Sequence, residues 1–450
     1  MLGATTIGNA TLIVYDGKPI LATDPWFGDD DPAYFGSWGL SHIIPKDCRH
    51  DIINAKHIWF SHGHPDHLNR ASLERIRGKH ILLPDHVGLR IFSDLREMGF
   101  DVAILPDRRW INLSSRVNVC SITTVIQDAI LLVDINGRLF INLNDSWARN
   151  CIKFIRNISK KYRRSYLLSA SGYGDADMIN MFDENGVFVE PWASTKPPVG
   201  RALSDLAKRL GARGVVPFSS FHRYQRTDSI WAQKYVTPLE AYHQGFDDRE
   251  LQFVPAFSHI DCASDDWTGL EPSIRSGDFR PPSDYGDNWS DLLGKTDFIL
   301  LKAYFMKKEL VKKYVSFINF RVGGSDNIIH FDGKDDKGIT FEVPRYILMQ
   351  AIKNEAFDDL LIGNFMKTTL HNMKTLYDGE FNFAVTKYGD NGRAQSYSEV
   401  KEYIRKYRHR AGVDWYDKEK LEHAIRVAAS YIPSNSALYK LGRLIYRSVC

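Results

Sequence analysis

The chain has 450 residues, of which 44% are hydrophobic and 25% charged, the balance of an ordinary globular protein long enough for two domains. Its formal net charge of +3 disfavours a nucleic-acid partner. No stretch approaches the roughly 18 apolar residues of a transmembrane helix, so no membrane partner is expected. Five scattered cysteines and the lack of a basic, apolar leader predict reduced thiols and a cytoplasmic location.

Predicted strands and helices alternate along the first half of the chain. It opens with a hairpin of strands at residues 12–15 and 20–23 that turns at Asp16-Gly17, and a second hairpin turn is predicted at Asn136-Gly137. The other predicted strands lie at residues 57–60, 102–105, 115–124, 129–134, 166–170 and 214–218. Helices are predicted at residues 71–77, 87–98, 147–162 and 202–210. Hairpins with interposed helices fit an α/β protein in which helices enclose two sheets, an αββα sandwich.

The composition changes after residue 265. Residues 266–295 are rich in Pro, Gly, Asp and aromatic side chains and are predicted to form a linker or lid. Residues 296–450 are predicted to form an α+β, largely helical accessory domain. It either covers the active-site mouth, builds a dimer or contacts substrate, and the sequence leaves open whether the protein is a homo-oligomer. Its predicted elements are strands at 316–322 and 338–342 and helices at 345–351, 357–366, 400–409 and 417–431.

The most informative motif is Ser61-His62-Gly63-His64-Pro65-Asp66-His67, directly after a predicted strand. In an extended backbone, side chains two residues apart point the same way, so His62 and His64 can bind one metal ion. Asp66 and His67, just past a turn, can reach a second ion beside it. Nitrogen and oxygen donors without thiolate suit zinc, iron or manganese. The alternative is a polar loop that is His-rich by chance, which gives no reason for such a density of ligands.

This motif resembles that of the metallo-β-lactamase superfamily. Residues 8–26, which end in Asp24-Pro25-Trp26, are similar to the opening hairpin of the branch that contains ascorbate-6-phosphate lactonases and CMP-N-acetylneuraminate hydroxylases. The resemblance covers residues 1–265 and implies a catalytic αββα domain with two divalent metal ions. Residues 139–145 resemble the strand that delivers the metal-bridging aspartate, so Asp145 is the predicted bridge and, with Asp66, a predicted catalytic residue. The alternative is that Asp145, or Ser146, caps the helix predicted after it.

Two positions depart from the family pattern. The family supplies another His about twenty residues before the bridging aspartate, where this chain has Gln127 and Asp128. Asp128 is the predicted ligand, with a turn residue as the alternative, and a carboxylate there would favour iron over zinc. The family's last His is replaced by Ser219. His222 is therefore the predicted ligand, with substrate contact or surface exposure as alternatives, and His259 is held in reserve.

Three functions for a small-molecule substrate follow from these residues. The first is a dinuclear metal-dependent hydrolase, in which metal-bound hydroxide attacks a carbonyl or phosphate ester. The second is a diiron oxygenase, favoured by the carboxylate-rich ligands and the hydroxylase resemblance. It would need an external electron-transfer partner, because the chain has no C-x-x-H half of a Rieske signature. The third is a binding module on a degenerate site. Asn9 stands where many relatives have His and cannot carry a proton at neutral pH, which disfavours simple hydrolysis.

Overall fold

The computed structural model describes residues 1–146, 148, 150–170, 172, 180–195, 198–219, 221–277, 279–332, 336–376 and 381–415. The strands in chain order are β1 (Leu2–Thr6), β2 (Leu12–Asp16), β3 (Lys18–Thr23), β4 (Trp38–Leu40), β5 (His57–Trp59), β6 (His80–Pro84), β7 (Asp101–Leu105), β8 (Trp110–Asn112), β9 (Val117–Thr123), β10 (Ala129–Ile135), β11 (Arg138–Asn144), β12 (Arg164–Ser169), β13 (Met181–Phe182), β14 (Gly214–Pro217), β15 (His222–Tyr224), β16 (Gln252–Phe253), β17 (Ser258–Asp261), β18 (Trp267–Gly269), β19 (Phe317–Val322), β20 (Ser325–His330), β21 (Gly338–Glu342) and β22 (Lys367–His371).

The α-helices in chain order are α1 (Lys46–Asn54), α2 (Arg70–Arg75), α3 (Arg90–Glu97), α4 (Ile152–Ser159), α5 (Val199–Leu210), α6 (Lys295–Met306), α7 (Val311–Tyr314), α8 (Arg345–Lys353), α9 (Phe357–Ile362) and α10 (Tyr397–Ala411). Short 3-10 helices span Tyr34–Gly36, Trp192–Thr195, Ile230–Tyr235, Leu239–His243 and Pro282–Tyr285, and Phe383–Asn391 forms a π-helix. The helix predicted at residues 417–431 lies outside the described residues. Within the described ranges, none of the helices combines the length and apolar character needed to cross a bilayer.

Two mixed sheets face each other in the first half of the chain. The first has eight strands in the order β18-β17-β1-β2-β3-β5-β6-β7, and the second has seven in the order β16-β14-β12-β11-β10-β9-β8. Alternate residues of each strand point to opposite faces, so Leu12 and Leu131 join the cluster between the sheets, whereas Ile13 and Leu132 pack towards the outer helices. The predicted αββα sandwich is confirmed.

Both predicted hairpin turns are present. β2 and β3 pair antiparallel around Gly17, which has φ of +75°. β10 and β11 pair around Asn136 and Gly137, with φ of +51° and +80°. Positive φ at both central residues gives the primed turn that matches the strand twist, which explains why Asn-Gly predicted this hairpin.

Two predicted helix ends differ most from the structure. The helix predicted from residue 147 begins at Ile152, because Ala148 and Asn150 have φ of +52° and +63°, which a right-handed helix does not allow. Asp145 and Ser146 therefore do not cap α4; the carboxylate of Asp414 accepts hydrogen bonds from the first-turn amides instead. The helix predicted to end at residue 366 ends at Ile362.

A third sheet builds the α+β C-terminal region. It has five strands in the order β13-β22-β21-β19-β20, so β13, from the first half of the chain, forms one of its edges. Part of the predicted linker returns to the first half, because β18 pairs with β17 at the edge of the eight-stranded sheet. The boundary predicted at residue 265 therefore has sheet contacts crossing it.

Arg226 connects three segments of the chain. Its side chain is fully buried, and its guanidinium donates a hydrogen bond to the carbonyl of Phe35. It forms ion pairs with Asp228 and, at 2.6 Å, with Asp287 of the predicted linker. The ring of Phe365, in the C-terminal region, lies 4.1 Å from the guanidinium carbon. A buried cation needs such paired charges, so Arg226 ties the three segments together.

Candidate metal centre

The candidate site lies at the carboxyl ends of parallel strands. The motif of residues 61–67 follows β5, and Asp24 follows β3, the parallel neighbour of β5. In the second sheet, Asp145 follows β11 and Ser219 follows β14. Within the motif, the amides of His67 and Leu68 both donate to the carbonyl of His64. This tight turn brings His67 back beside the two earlier imidazoles.

Two overlapping groups of side chains could each hold a metal ion. One group is His62, His64 and Asp145, and the other is Asp66, His67 and Asp145; in each, one donor atom per residue lies within 4.8 Å of the others. Asp145 belongs to both groups, which is the geometry that a bridging carboxylate needs. Since Asp145 does not cap α4, the alternative role offered by the sequence is excluded.

The ring nitrogens show which atoms are available to metal. His62 Nε2 and His64 Nδ1 are 2.9 Å apart, and His67 Nε2 lies 3.2 Å from Asp145 Oδ2. The remaining nitrogens of two rings face oxygens, with His62 Nδ1 2.9 Å from Ser61 Oγ and His67 Nδ1 3.2 Å from Asp24 Oδ2. Such outer hydrogen bonds fix the tautomer and orientation of a metal-binding imidazole.

Asp66 is held by two neutral donors. Tyr34 Oη donates to Asp66 Oδ1 over 2.5 Å, and Asn9 Nδ2 donates to Asp66 Oδ2 over 2.8 Å. Asn9 therefore faces the site as a hydrogen-bond donor. Sequence reasoning missed Tyr34, which has φ of +47° and is buried; burial and the charge of Asp66 raise its pKa well above the usual range. It stays a hydroxyl donor at neutral pH.

The charges of the buried site are strongly coupled. Burial alone would lower the pKa of His67, but the carboxylates of Asp145 and Asp66 hold that pKa well above its ordinary value. Burial opposes ionisation of Asp145 as well, yet His67 and a hydrogen bond from Ser219 lower its pKa to about 2. Burial raises the pKa of Asp24, and the neighbouring His67 and Ser61 only partly offset this. The side chain of Asp145 keeps 28% of its surface exposed, so this carboxylate is accessible to solvent.

Asp128 and Asp358 lie at the edges of the cluster. Asp128 Oδ1 is 3.9 Å from His62 Nδ1, outside both ligand groups, and it has no hydrogen-bond partner among the described residues. Asp358, which sequence reasoning missed, comes from α9 and accepts from His64 Nε2 over 3.0 Å. Buried Lys387 donates to the same oxygen over 2.9 Å, and these two partners outweigh burial and hold the pKa of Asp358 below its usual value.

The other candidate residues lie outside both groups of described ligands. Ser219, at the position of the family's last His, donates to Asp145 Oδ1. His222 lies on β15 and stacks on Trp38 with ring centroids 3.5 Å apart, and neither group of described ligands contains it. His259 lies on β17 and bonds Thr5. The roles of His222 and Asp128 as ligands stay predictions.

The site fits divalent metal ions. Its donors are imidazole nitrogens and carboxylate oxygens, the set that zinc, iron and manganese accept. Buried Asp128 Oδ1, which accepts no hydrogen bond from the part of the chain that the structure describes, also fits, because a buried carboxylate oxygen is costly unless a cation or a donor compensates it. The residues therefore suit the two metal ions that the motif predicts.

No family model matches the chain. Cytidine monophosphate-N-acetylneuraminic acid hydroxylase of Danio rerio is 22% identical over 348 residues, which cover 70% of this chain and 56% of that protein. The same enzyme of Asterias rubens is 27% identical over 150 residues, 31% of this chain and 23% of that protein. The chain spans about half the length of the first of these curated relatives.

Solved structures with similar folds include an isothiocyanate hydrolase from Delia radicum gut bacteria, 13% identical, which covers 57% of this chain and 98% of that chain with a TM-score of 0.36. Another is CmlA, a diiron β-hydroxylase from Streptomyces venezuelae, 14% identical, covering 54% of this chain and 49% of that chain with a TM-score of 0.33. In its sandwich and its ligand motif, the chain resembles the metallo-β-lactamase superfamily, and in its sequence it is similar to CMP-N-acetylneuraminic acid hydroxylases, as the motif and hairpin predicted.

Proposed function

We propose that this protein is a metalloenzyme in which Asp145 bridges two divalent metal ions. His62 and His64 would hold one ion, and Asp66 and His67 the other. The single observation that carries this proposal is that Asp145 belongs to both ligand groups. A polar loop that is His-rich by chance would not need the carboxylate of a different sheet at its centre.

The reaction we propose is the hydroxylation of a small molecule by an iron pair. Two carboxylates, Asp66 and Asp145, belong to the ligand groups of the three imidazoles, and buried Asp128 lies 3.9 Å from His62 Nδ1; oxygen-rich ligands favour iron over zinc. An iron pair supplies the one-electron and dioxygen chemistry that no side chain can provide. Hydroxylation takes R–H, O₂, two electrons and two protons to R–OH and water, so an external donor must supply the electrons. The similarity to CMP-N-acetylneuraminic acid hydroxylases supports this choice.

The side chains around the ligands have separate tasks under this proposal. Asp24 orients His67, and Tyr34 and Asn9 orient Asp66, so that the donor atoms are fixed before metal binds. Burial of these outer groups keeps water away from that side of the site. Asp145 is partly exposed and marks the side on which substrate approaches.

Hydrolysis is the second candidate. Each ligand group contains three described residues. Metal ions held by these residues would supply the Lewis acidity that activates water for attack on a carbonyl or phosphate ester. Asn9 argues against it, because in place of a family His it can hold Asp66 but cannot accept a proton.

Metal analysis of protein purified without added metal or chelator tests the proposal. Two irons per chain, with absorption that changes on reduction and on exposure to oxygen, are expected. Two zincs per chain, together with ester or lactone hydrolysis, would assign the second candidate. Wild-type protein that binds neither iron nor zinc after reconstitution would overturn the metalloenzyme itself.

A further inference from the structure

The C-terminal region places a buried carboxylate–lysine pair against the metal centre. Asp358 Oδ2 lies 3.0 Å from His64 Nε2 and 2.9 Å from Lys387 Nζ. Asp358 is 5% exposed, and His64 and Lys387 are each 9% exposed. Residues 64 and 358 belong to regions that sequence analysis separates into different domains, so this contact is not a local turn effect.

The contact sets the orientation of the His64 ring. His64 Nδ1, not Nε2, lies beside His62 Nε2 and belongs with the metal-binding atoms. A neutral imidazole can offer Nδ1 to a metal only if its proton is on Nε2, and that proton needs an acceptor. Asp358 Oδ2 is at the right distance to be this acceptor.

In all three imidazoles the outer ring nitrogen faces an oxygen atom, but these oxygens come from different parts of the chain. His62 and His67 face Ser61 and Asp24 through their outer nitrogens, and both acceptors come from the first half of the chain. The described acceptor for His64 comes from α9 instead. A buried carboxylate is stable there only with a compensating cation, which Lys387 supplies.

We infer that Asp358 is a positioning residue for the metal centre, and that the C-terminal region completes the ion site of His62 and His64 rather than only covering it. This inference rests on the proposed two-metal function. It assigns Lys387 the task of holding Asp358 in place.

The test compares two buried aspartates of the same region in the full chain. Asp358→Asn removes the charged acceptor of His64. The matched control is Asp390→Asn, because Asp390 likewise pairs with a buried lysine, Lys308, at 2.9 Å. Its second hydrogen-bond donor is Tyr304, which is not a proposed metal ligand. Chelator-treated protein is titrated with zinc alone and with cobalt(II) alone, and affinity, stoichiometry and cobalt absorption are recorded.

Asp358→Asn is expected to lower the affinity for one of the two ions by about 10- to 100-fold and to alter the cobalt absorption. Asp390→Asn should bind both ions with wild-type affinity. If Asp358→Asn binds both ions with wild-type affinity and spectrum, the inference is overturned while the two-metal site stands. Wild-type protein that binds neither zinc nor cobalt would overturn the proposed function instead.

The tautomer of His64 decides the matter if Asp358→Asn does not fold. Nitrogen NMR of histidine-labelled wild-type protein, with His64 assigned from a His64→Gln variant, is expected to show a proton on Nε2. A neutral ring with its proton on Nδ1 would overturn the inference, because that tautomer neither donates to Asp358 nor offers Nδ1 to metal.

Discussion

Replacing Asp145 by Asn should lower the affinity of the site for both metal ions, whereas Asp66→Asn should lower the affinity for only one. Each ligand group has three members, and Asp145 is the one they share. Four-ligand zinc sites bind with about 10–16 kcal/mol, or roughly 3 kcal/mol per ligand. Since a neutral amide is a poor ligand, we expect about a 100-fold loss of affinity at each ion for Asp145→Asn and at one ion for Asp66→Asn.

Metal stoichiometry measured against a competing chelator checks this prediction. Asp101→Asn is the control, since Asp101 on β7 has 69% of its side chain exposed and pairs with His80 at the surface. The bridge would be refuted if Asp145→Asn kept one ion at wild-type affinity, or if Asp66→Asn lost both ions equally. Near-native thermal unfolding of the metal-free variants would show that the losses do not arise from misfolding.

Three further predictions concern hydrogen bonds and burial. Tyr34→Phe removes a charge-assisted hydrogen bond to Asp66 and should weaken the binding free energy of one ion by about 1.5–3 kcal/mol without unfolding the protein. Unchanged metal affinity in competition with a chelator would contradict this. Burial lowers the pKa of His42 to about 4, below the ~6.5 of an unfolded chain, so the folded state binds fewer protons than the unfolded state. The free energy of unfolding should therefore fall by up to about 3 kcal/mol as the pH falls from 6.5 to 4. His42→Gln should flatten that part of the denaturation profile, and an unaltered slope would exclude the effect. Asp414→Ala removes the acceptor at the start of α4 and should cost about 1 kcal/mol in urea unfolding, whereas a neutral result would show that other groups satisfy these amides.

The sequence was sufficient wherever ligands lie close together along the chain. His62, His64, Asp66 and His67 lie within six residues directly after a strand, so the alternation of an extended backbone and the turn that follows it predict that their side chains converge. Asp145 needed the resemblance, because nothing in its neighbourhood shows that β11 and β5 end at the same site. Its alternative role as a helix cap was excluded only by the structure, in which the backbone of residues 148 and 150 delays α4.

The roles of Asp358 and Tyr34 could not be predicted, because their contacts join residues that are far apart in the sequence. Asp358 reaches His64 over 294 positions, and Tyr34 reaches Asp66 over 32. The local signal for Asp358 is a pair of acidic residues before the apolar run Leu360-Leu361-Ile362, which equally describes the first turn of a buried helix. Tyr34 lies in a short 3-10 turn with left-handed backbone that no periodicity indicates.

The anchoring of Arg226 has a consequence for exchanging parts between related proteins. A chimera joined at residue 265 would take Arg226 from one parent and Asp287 and Phe365 from the other. Unless both parents share these residues, the hybrid would bury a guanidinium that keeps Asp228 but has lost Asp287 and the ring of Phe365, which destabilises the fold. The loop that carries Phe35 also carries Tyr34, so the defect would reach Asp66 as well. The two regions should therefore be inherited, and engineered, as one unit.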